Sequence, residues 1–205
     1  MNVDILISFV VATSALAISP GPDNIYVLLQ SIAHGKKYGL ATVAGLISGC
    51  IVHTTLVAFG VSTLIKENDY VYLAIKLFGA GYLLYLAYKV YKSSSALELN
   101  SRGIPKKSVS QLYKQGVIMN VLNPKVSLFF LALFPGFLFS DSLSTVWQFY
   151  VLGFIFMGVS LVIFAGIAIL SGAISNYLIH HKNTGLVLKW LQIIVFVGIA
   201  IFILI

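Results

Sequence analysis

Six long apolar runs, separated by polar connections, take up most of this chain of 205 residues. A window of about 19 residues, close to the length of a helix that crosses the hydrocarbon of a bilayer, locates the runs. They cover residues 5–29, 39–65, 70–91, 114–139, 146–174 and 186–205. We therefore predict an all-α polytopic membrane protein with six transmembrane helices and no soluble domain. A re-entrant course of the first or the fourth run is the alternative.

Two of the runs, the first and the fourth, are interrupted by polar segments that contain proline. The interruptions are Ser19-Pro20-Gly21-Pro22-Asp23-Asn24 and Asn123-Pro124-Lys125. Proline lacks a backbone donor and clashes with the preceding turn, so the helix is expected to open at each site. Lipid offers no partner for the freed backbone groups, so such openings are tolerated only inside protein or along a cavity. A simple proline kink, with Asp23 as the N-cap of the next helix, is the alternative.

The composition supports a membrane protein, because hydrophobic residues make up 59% of the chain and charged residues only 9%. Soluble proteins average about 45 to 50% and about 25%. The net charge of +7 lies mainly in the connections, so a lipid bilayer rather than a nucleic acid is the expected partner. Cys50, the single cysteine, excludes an intrachain disulfide. The N-terminal segment carries Asp4 and no positive charge, which argues against a signal peptide.

The distribution of charge in the connections predicts the orientation of the chain. Lys and Arg outnumber Asp and Glu in the first, third and fifth connections, at 30–38, 89–114 and 175–189, but not at 66–69 or 140–145. Positively charged connections face the cytoplasm. Both termini are therefore predicted outside, in a multi-pass protein of the bacterial cytoplasmic membrane.

The chain also divides into two similar halves around the polar third connection. We predict one repeat at about 1–92, a linker at about 93–113 and a second repeat at about 114–205. Pro20, Gly45 and Lys76 in the first half are followed in the same order by Pro124, Gly153 and Lys189 in the second. Three helices are an odd number, so the second half must enter the membrane inverted. Broken helices at corresponding positions of inverted repeats indicate the substrate site of a transporter.

Asp23 and Lys125 place opposite charges at the two interruptions. Lys125 lies about 16 Å into the fourth run, where an intramembrane cation is usually paired and functional. We expect Lys125, with exposed amides of a half-helix, to bind the carboxylate of an amino acid, and Asp23, with freed carbonyls, to bind its ammonium. The predicted substrate-binding residues are Pro20, Gly21, Pro22, Asp23, Asn24, Asn123, Pro124 and Lys125. A structural ion pair between the two charges is the alternative.

Two further features of the second run suggest a role. His53, beside Thr54 and Thr55, is a candidate for exchange of a coupling proton together with Asp23, since imidazole titrates near physiological pH. A hydrogen-bonded packing role is the alternative for His53. Gly45 and Gly49 form a small-xxx-small pattern, which predicts close helix packing.

As an ordered set, the motifs of this chain resemble those of the LysE/RhtB family of amino-acid exporters. They are Pro20-Gly21-Pro22-Asp23-Asn24, Lys76-Leu77-Phe78-Gly79-Ala80-Gly81-Tyr82-Leu83, Gly116, Asn123-Pro124-Lys125 and Phe134-Pro135. The resemblance covers nearly the whole chain. It implies efflux of amino acids or close derivatives, driven by the proton motive force, with no cofactor. It also implies that the residues of the two interruptions lie near the transport path.

Three other functions stay open on the sequence alone. An exporter of a metal or other cation would use Asp23 and His53 as ligands, although one carboxylate and one imidazole make a poor site. An intramembrane enzyme would pair Ser19 with His53. A helper subunit of a larger complex would need no polar centre. The sequence does not name the amino acid, and it leaves open whether the protein forms a homo-oligomer.

Overall fold

The computed structural model describes residues 2–61, 69–94, 104–181 and 183–204, and all regular structure within them is helical. The helices are α1 (Val3–Ile18), α2 (Pro22–His34), α3 (Lys36–Leu56), α4 (Asp69–Lys92), α5 (Val109–Val121), α6 (Pro124–Leu128), α7 (Thr145–Ile169), α8 (Ser171–His180) and α9 (Thr184–Leu204). A π-helical segment, Val57–Val61, continues α3. A π-helical segment, Phe129–Leu133, and a 3₁₀ segment, Phe134–Phe137, continue α6.

Up to six of these units are long and apolar enough to span a membrane. Spans within α3, α4, α7 and α9 qualify singly. The pair α1 and α2 qualifies as one span bent by 58°, and α5 with the segment from Pro124 to Phe137 as one bent by 47°. Large apolar side chains face outward, with Val162 73% and Ile194 65% exposed. The prediction of an all-α polytopic membrane protein with broken first and fourth helices is confirmed.

The first break opens the backbone between α1 and α2. Ser19 leaves the helical conformation, and its N–H donates to the Ala15 carbonyl at 3.0 Å. Gly21 is extended and forms the N-cap of α2, with Pro22 as the first helical residue. Proline suits that position because its missing N–H would have no partner there. Asp23 lies in the first turn, so the alternative that Asp23 is the N-cap is wrong.

The second break separates α5 from α6. Asn123 is the N-cap of α6, and its side-chain oxygen accepts from the Lys125 N–H at 3.0 Å. Pro124 is again the first helical residue. The α-helical geometry lasts only to Leu128 before the π and 3₁₀ segments begin. Such irregular helix often marks a hinge.

The C-terminal end of the linker predicted at about 93–113 overlaps the start of α5. The helix begins at Val109, because Ser108 and Gln111 form a capping box. The Gln111 N–H donates to Ser108 Oγ at 3.2 Å, and the Ser108 N–H donates to Gln111 Oε1 at 2.8 Å. Residues 95–103 of the linker lie outside the described residues.

The fifth predicted span, 146–174, is wrong at its C-terminal end, where it extends past the observed helix. α7 stops at Ile169, where Leu170 takes φ −89° and ψ 11°, and the separate helix α8 follows. The apolar run continues through this interruption, so hydropathy does not detect it. The predicted third and sixth spans match α4 and α9 closely. The end of the second, with the connection at 66–68, lies outside the described residues.

Close helix contacts hold the bundle together. α3 crosses α5 where a Cβ on Gly45 would overlap the Tyr113 carbonyl and approach Gly116 Cα at 3.0 Å. Gly49 faces Asn120 in the next turn. The packing role predicted for Gly45 and Gly49 is confirmed. α7 packs against α1 and α3, and α4 packs against α9. Exchanging the first half of the chain for the second would carry this set of helix contacts onto itself. The inverted repeat of the two halves stays a prediction.

The close crossing of α3 and α5 predicts that alanine substitution destabilises the protein at Gly45 but not at a glycine outside the crossing. Gly45→Ala should destabilise the protein by about 1 to 3 kcal/mol, because the added methyl group overfills the crossing. Gly158→Ala in α7 is the matched control, since a Cβ there meets nothing within 4 Å. Alanine has the better helix propensity by about 1 kcal/mol, so this control should be neutral or stabilising. Thermal unfolding in detergent measures both, and equal melting temperatures would contradict the crossing.

Candidate functional site

The two breaks meet, and the cation of one closes the open end of the other. Lys125 Nζ donates to the Leu16 carbonyl at 3.0 Å and to the Ser19 carbonyl at 3.0 Å. Carbonyls at the C-terminal end of a helix have no partner within the helix, and the helix dipole favours a cation there. Phe196 of α9 lies beneath the ammonium, with its ring centre 5.5 Å from Nζ. Lys125 therefore supplies the hydrogen bonds that the first break removes.

Asp23 lies in the same place with its charge held differently. It is 5% exposed, and Asn123 Nδ2 donates to its Oδ2 at 2.8 Å. The first turn of α2 also favours a negative charge. Although both residues are described, the structure records no N···O contact within 4.0 Å between Asp23 and Lys125. Asn123 links them instead, because its Oδ1 accepts from the Lys125 N–H while its Nδ2 donates to Asp23.

The remaining residues of the two interruptions shape the backbone. Asn24 Nδ2 donates to the Ala17 carbonyl at 2.8 Å, which fastens the start of α2 to the end of α1. Gly21 lies next to the lysine, since a Cβ there would lie 3.7 Å from Lys125 Nζ, at ordinary contact distance. The prolines act through the backbone: Pro22 and Pro124 begin helices, and Pro20 lies in the opened segment.

A small central cavity lies between the breaks. Its volume is about 20 Å³, which is room for about one water molecule. Five of the eight predicted substrate residues line it, whereas Pro20, Pro22 and Pro124 do not. The five are Gly21, Asp23, Asn24, Asn123 and Lys125. In this conformation the cavity is too small for an amino acid, so binding requires the surrounding helices to move.

Sequence reasoning missed several residues of the cavity wall. Asn120, 2% exposed, has a side-chain Oδ1 that meets no hydrogen-bond partner among the described residues. Its position three residues before Asn123, within the same apolar run, was a readable signal. Cys50, Phe156 and Ser160 also line the cavity. Nothing in their sequence context distinguishes them from packing residues.

His53 lies beside the cavity wall rather than on it. The side chain is 5% exposed, and Nε2 lies 3.1 Å from the Asn120 carbonyl. A carbonyl only accepts, so Nε2 carries the proton of this bond. Ser19 Oγ has no hydrogen-bond partner in the described part of the chain, so no Ser19–His53 pair is formed. Within that part, no group of three His, Cys, Asp or Glu side chains could hold a metal ion.

An aromatic cluster extends from one wall of the central cavity. Phe156, on the cavity wall, lies 4.8 Å from Phe130, and Phe130 stacks on Phe134 at 4.1 Å, measured between ring centres. Phe134 contacts Phe9 of α1 at 5.1 Å, and Phe9 contacts Phe137 at 5.2 Å. All five rings are buried. We call these residues the aromatic cluster.

A second, larger cavity adjoins the first break, and Gly21 lines both this cavity and the central one. Its volume is about 340 Å³, and we call it the vestibule. Its lining includes Pro20, Gly21, Pro22, Ser93, Lys189 and Gln192. The order of residues along α9 places the vestibule and the aromatic cluster on opposite sides of Lys125. Lys189 lines the vestibule, Phe196 lies at Lys125, and Phe202 stacks on Phe137 of the aromatic cluster at 4.9 Å.

Two interrupted spans, with Lys125 of one bonding the opened carbonyls of the other beside a small cavity, form the arrangement expected of a membrane transporter. The chain belongs to the LysE type translocator family, whose model matches residues 14–205. The resemblance seen in the motifs is thereby confirmed.

The chain is also similar to an efflux protein and to two uncharacterized membrane proteins of other bacteria. The chain is 29% identical over 171 residues to the homoserine/homoserine lactone efflux protein of Salmonella typhimurium, covering 83% of this chain and 82% of that protein. It is 25% identical over 179 residues to an uncharacterized membrane protein of Vibrio cholerae, covering 87% and 86%. It is 28% identical over 141 residues to the uncharacterized membrane protein YrhP of Bacillus subtilis, covering 65% and 67%. No solved structure gives a significant match.

Proposed function

We propose that the protein exports amino acids or close derivatives across the bacterial cytoplasmic membrane by alternating access, driven by the proton motive force. The observation that carries this proposal is the meeting of Asp23 and Lys125, from two helix breaks, at one small cavity. The efflux description of the Salmonella relative supports the substrate class. Homoserine is a zwitterion, whereas homoserine lactone has an amine but no carboxylate.

The substrate groups are assigned by charge. Lys125 binds the carboxylate, and Asp23 binds the ammonium. The carbonyls of Leu16 and Ser19, which the sequence suggested for the ammonium, already accept from Lys125. Asn120 Oδ1, which lies on the cavity wall and accepts no hydrogen bond from the described residues, is the better second acceptor. We place the ammonium between Asp23 and Asn120.

Two unequal barriers support alternating access. Several buried rings of the aromatic cluster form the barrier on one side of the cavity, and on the other side Gly21 lines both the cavity and the vestibule. The π and 3₁₀ segments after α6 carry three rings of the cluster. A shift of this irregular segment would open the aromatic side without bending a regular helix.

The central test is transport by the purified protein in proteoliposomes, with counterflow of L-homoserine and of homoserine lactone. Wild type should transport both without another subunit, which a helper protein would not do. Lys125→Gln should lose at least about tenfold in homoserine transport, as expected for a lost charged hydrogen bond. It should lose much less with the lactone, which has no carboxylate. Asp23→Asn should lose transport of both.

The double variant Asp23→Asn with Lys125→Gln separates binding from structural pairing. Persistent loss in a well-folded double variant is the expected result. Recovery of transport would mean that the two charges only compensate each other, and would overturn the substrate assignment. Lys92→Gln, which removes an exposed cation away from the cavity, is the control and should transport normally.

His53 is proposed to exchange the coupling proton, alone or with Asp23. His53→Gln keeps a donor for the Asn120 carbonyl but removes the titrating ring. We expect loss of uphill accumulation driven by a pH gradient, with homoserine exchange at equilibrium intact. Measurement of both rates on the same vesicles distinguishes them. Unchanged uphill transport would return His53 to a packing role.

The proposed orientation places both termini outside. In a Cys50→Ala background, Asp141→Cys should react with an impermeant thiol reagent in intact cells, and Asn183→Cys only after permeabilisation. Both positions are exposed, so accessibility of the side chain is equal. The reverse labelling pattern would invert the orientation. The sequence-based positions Asn68 and Ser95 lie outside the described residues.

A further inference from the structure

We propose that the vestibule is a second binding site for the substrate carboxylate, with Lys189 as its cationic group. We call it the outer site to distinguish it from the central cavity, and not for the side of the membrane that it faces. This inference rests on the proposed function, because it gives the exported molecule a loading site before it reaches the central cavity. The vestibule volume of about 340 Å³ falls within the range of small-ligand pockets, about 300 to 1,000 Å³. The central cavity, at about 20 Å³, does not.

The vestibule and the central cavity share one wall. Gly21 lines both cavities. A Cβ on Gly21 would lie 3.7 Å from Lys125 Nζ, so the ammonium of the central site lies directly behind this glycine. A carboxylate in the vestibule is thus separated from Lys125 by one residue of extended backbone. Small movements of the opened segment would connect the two sites.

The polar groups of the vestibule suit a carboxylate. Lys189 Nζ donates to the Ser93 carbonyl at 2.8 Å, which positions the ammonium at the vestibule wall. An ammonium has three N–H donors, so this bond leaves capacity for a ligand. Gln192 follows one turn later on the same face of α9 and adds an amide. The described lining residues include no Asp or Glu, so the local charge is positive.

The position of the vestibule fits loading from the cytoplasm. Ser93 directly follows α4, and Gly185 lies in the first turn of α9, so the vestibule opens beside the third and fifth connections. These are the basic connections that the proposed orientation places inside. A cation at this mouth would concentrate carboxylates on the side from which export begins.

The test compares the two sides of the membrane and the two substrates. In proteoliposomes of known orientation, Lys189→Met should raise the apparent KM for L-homoserine about fivefold on the vestibule side, the size expected for one partly exposed charge contact. The maximal rate and the KM on the opposite side should stay within about twofold. The KM for homoserine lactone should not change, because it has no carboxylate. Lys189→Arg should restore the wild-type KM.

A matched control and three contrary outcomes complete the test. Lys92→Met removes a cation at the C-terminal end of α4, next to the vestibule residue Ser93. Lys92 itself does not line the vestibule, so this variant should leave every parameter unchanged. Wild-type vesicles that transport neither substrate would overturn the proposed function and the outer site with it. Normal wild-type transport with an unchanged KM in Lys189→Met would overturn the outer site alone. Equal losses on both sides and for both substrates would assign Lys189 a structural role and also overturn it.

Discussion

The structure depends on one constraint: a helix that opens inside a bilayer must find hydrogen-bond partners within the protein. Lys125 meets that constraint for the first break by donating to the carbonyls of Leu16 and Ser19. At the second break His53 adds a bond rather than replacing one, since its Nε2 lies 3.1 Å from the Asn120 carbonyl, which also accepts from the Asn123 N–H at 3.0 Å. In each case a side chain from another helix bonds a carbonyl at the C-terminal end of an interrupted helix.

The groups that stabilise the breaks are also the groups that would bind substrate. Lys125 has two hydrogen bonds to carbonyls, and a bond to a charged group contributes about 1.5 to 3 kcal/mol. Opening the cavity by moving α1 away from α6 would break these bonds, unless substrate or water replaces them. A substrate carboxylate at Lys125 offers such a replacement. Binding energy would then offset the cost of opening, which couples occupancy of the site to the change of conformation.

The sequence allowed prediction of features that depend on local chemistry. The proline interruptions, the broken spans and the charges at the breaks follow from single residues and hydropathy. The capping box at Ser108 and Gln111 was equally readable, since it is a local motif, and was missed. Asn120, the aromatic cluster and the vestibule required the structure, because residues far apart in sequence form them. The end of α7 escaped prediction because hydropathy does not record an interruption between two apolar helices.

α9 runs past Lys125 and reaches both the vestibule and the aromatic cluster. Lys189 reaches the vestibule, Phe196 lies at Lys125, and Phe202 stacks on Phe137 of the aromatic cluster. α9 packs chiefly against α4 and only lightly against α1. A displacement of the α4–α9 pair relative to α1 would therefore change both barriers and the surroundings of Lys125 together. Such linkage is what alternating access requires, because opening of one barrier must be tied to closure of the other.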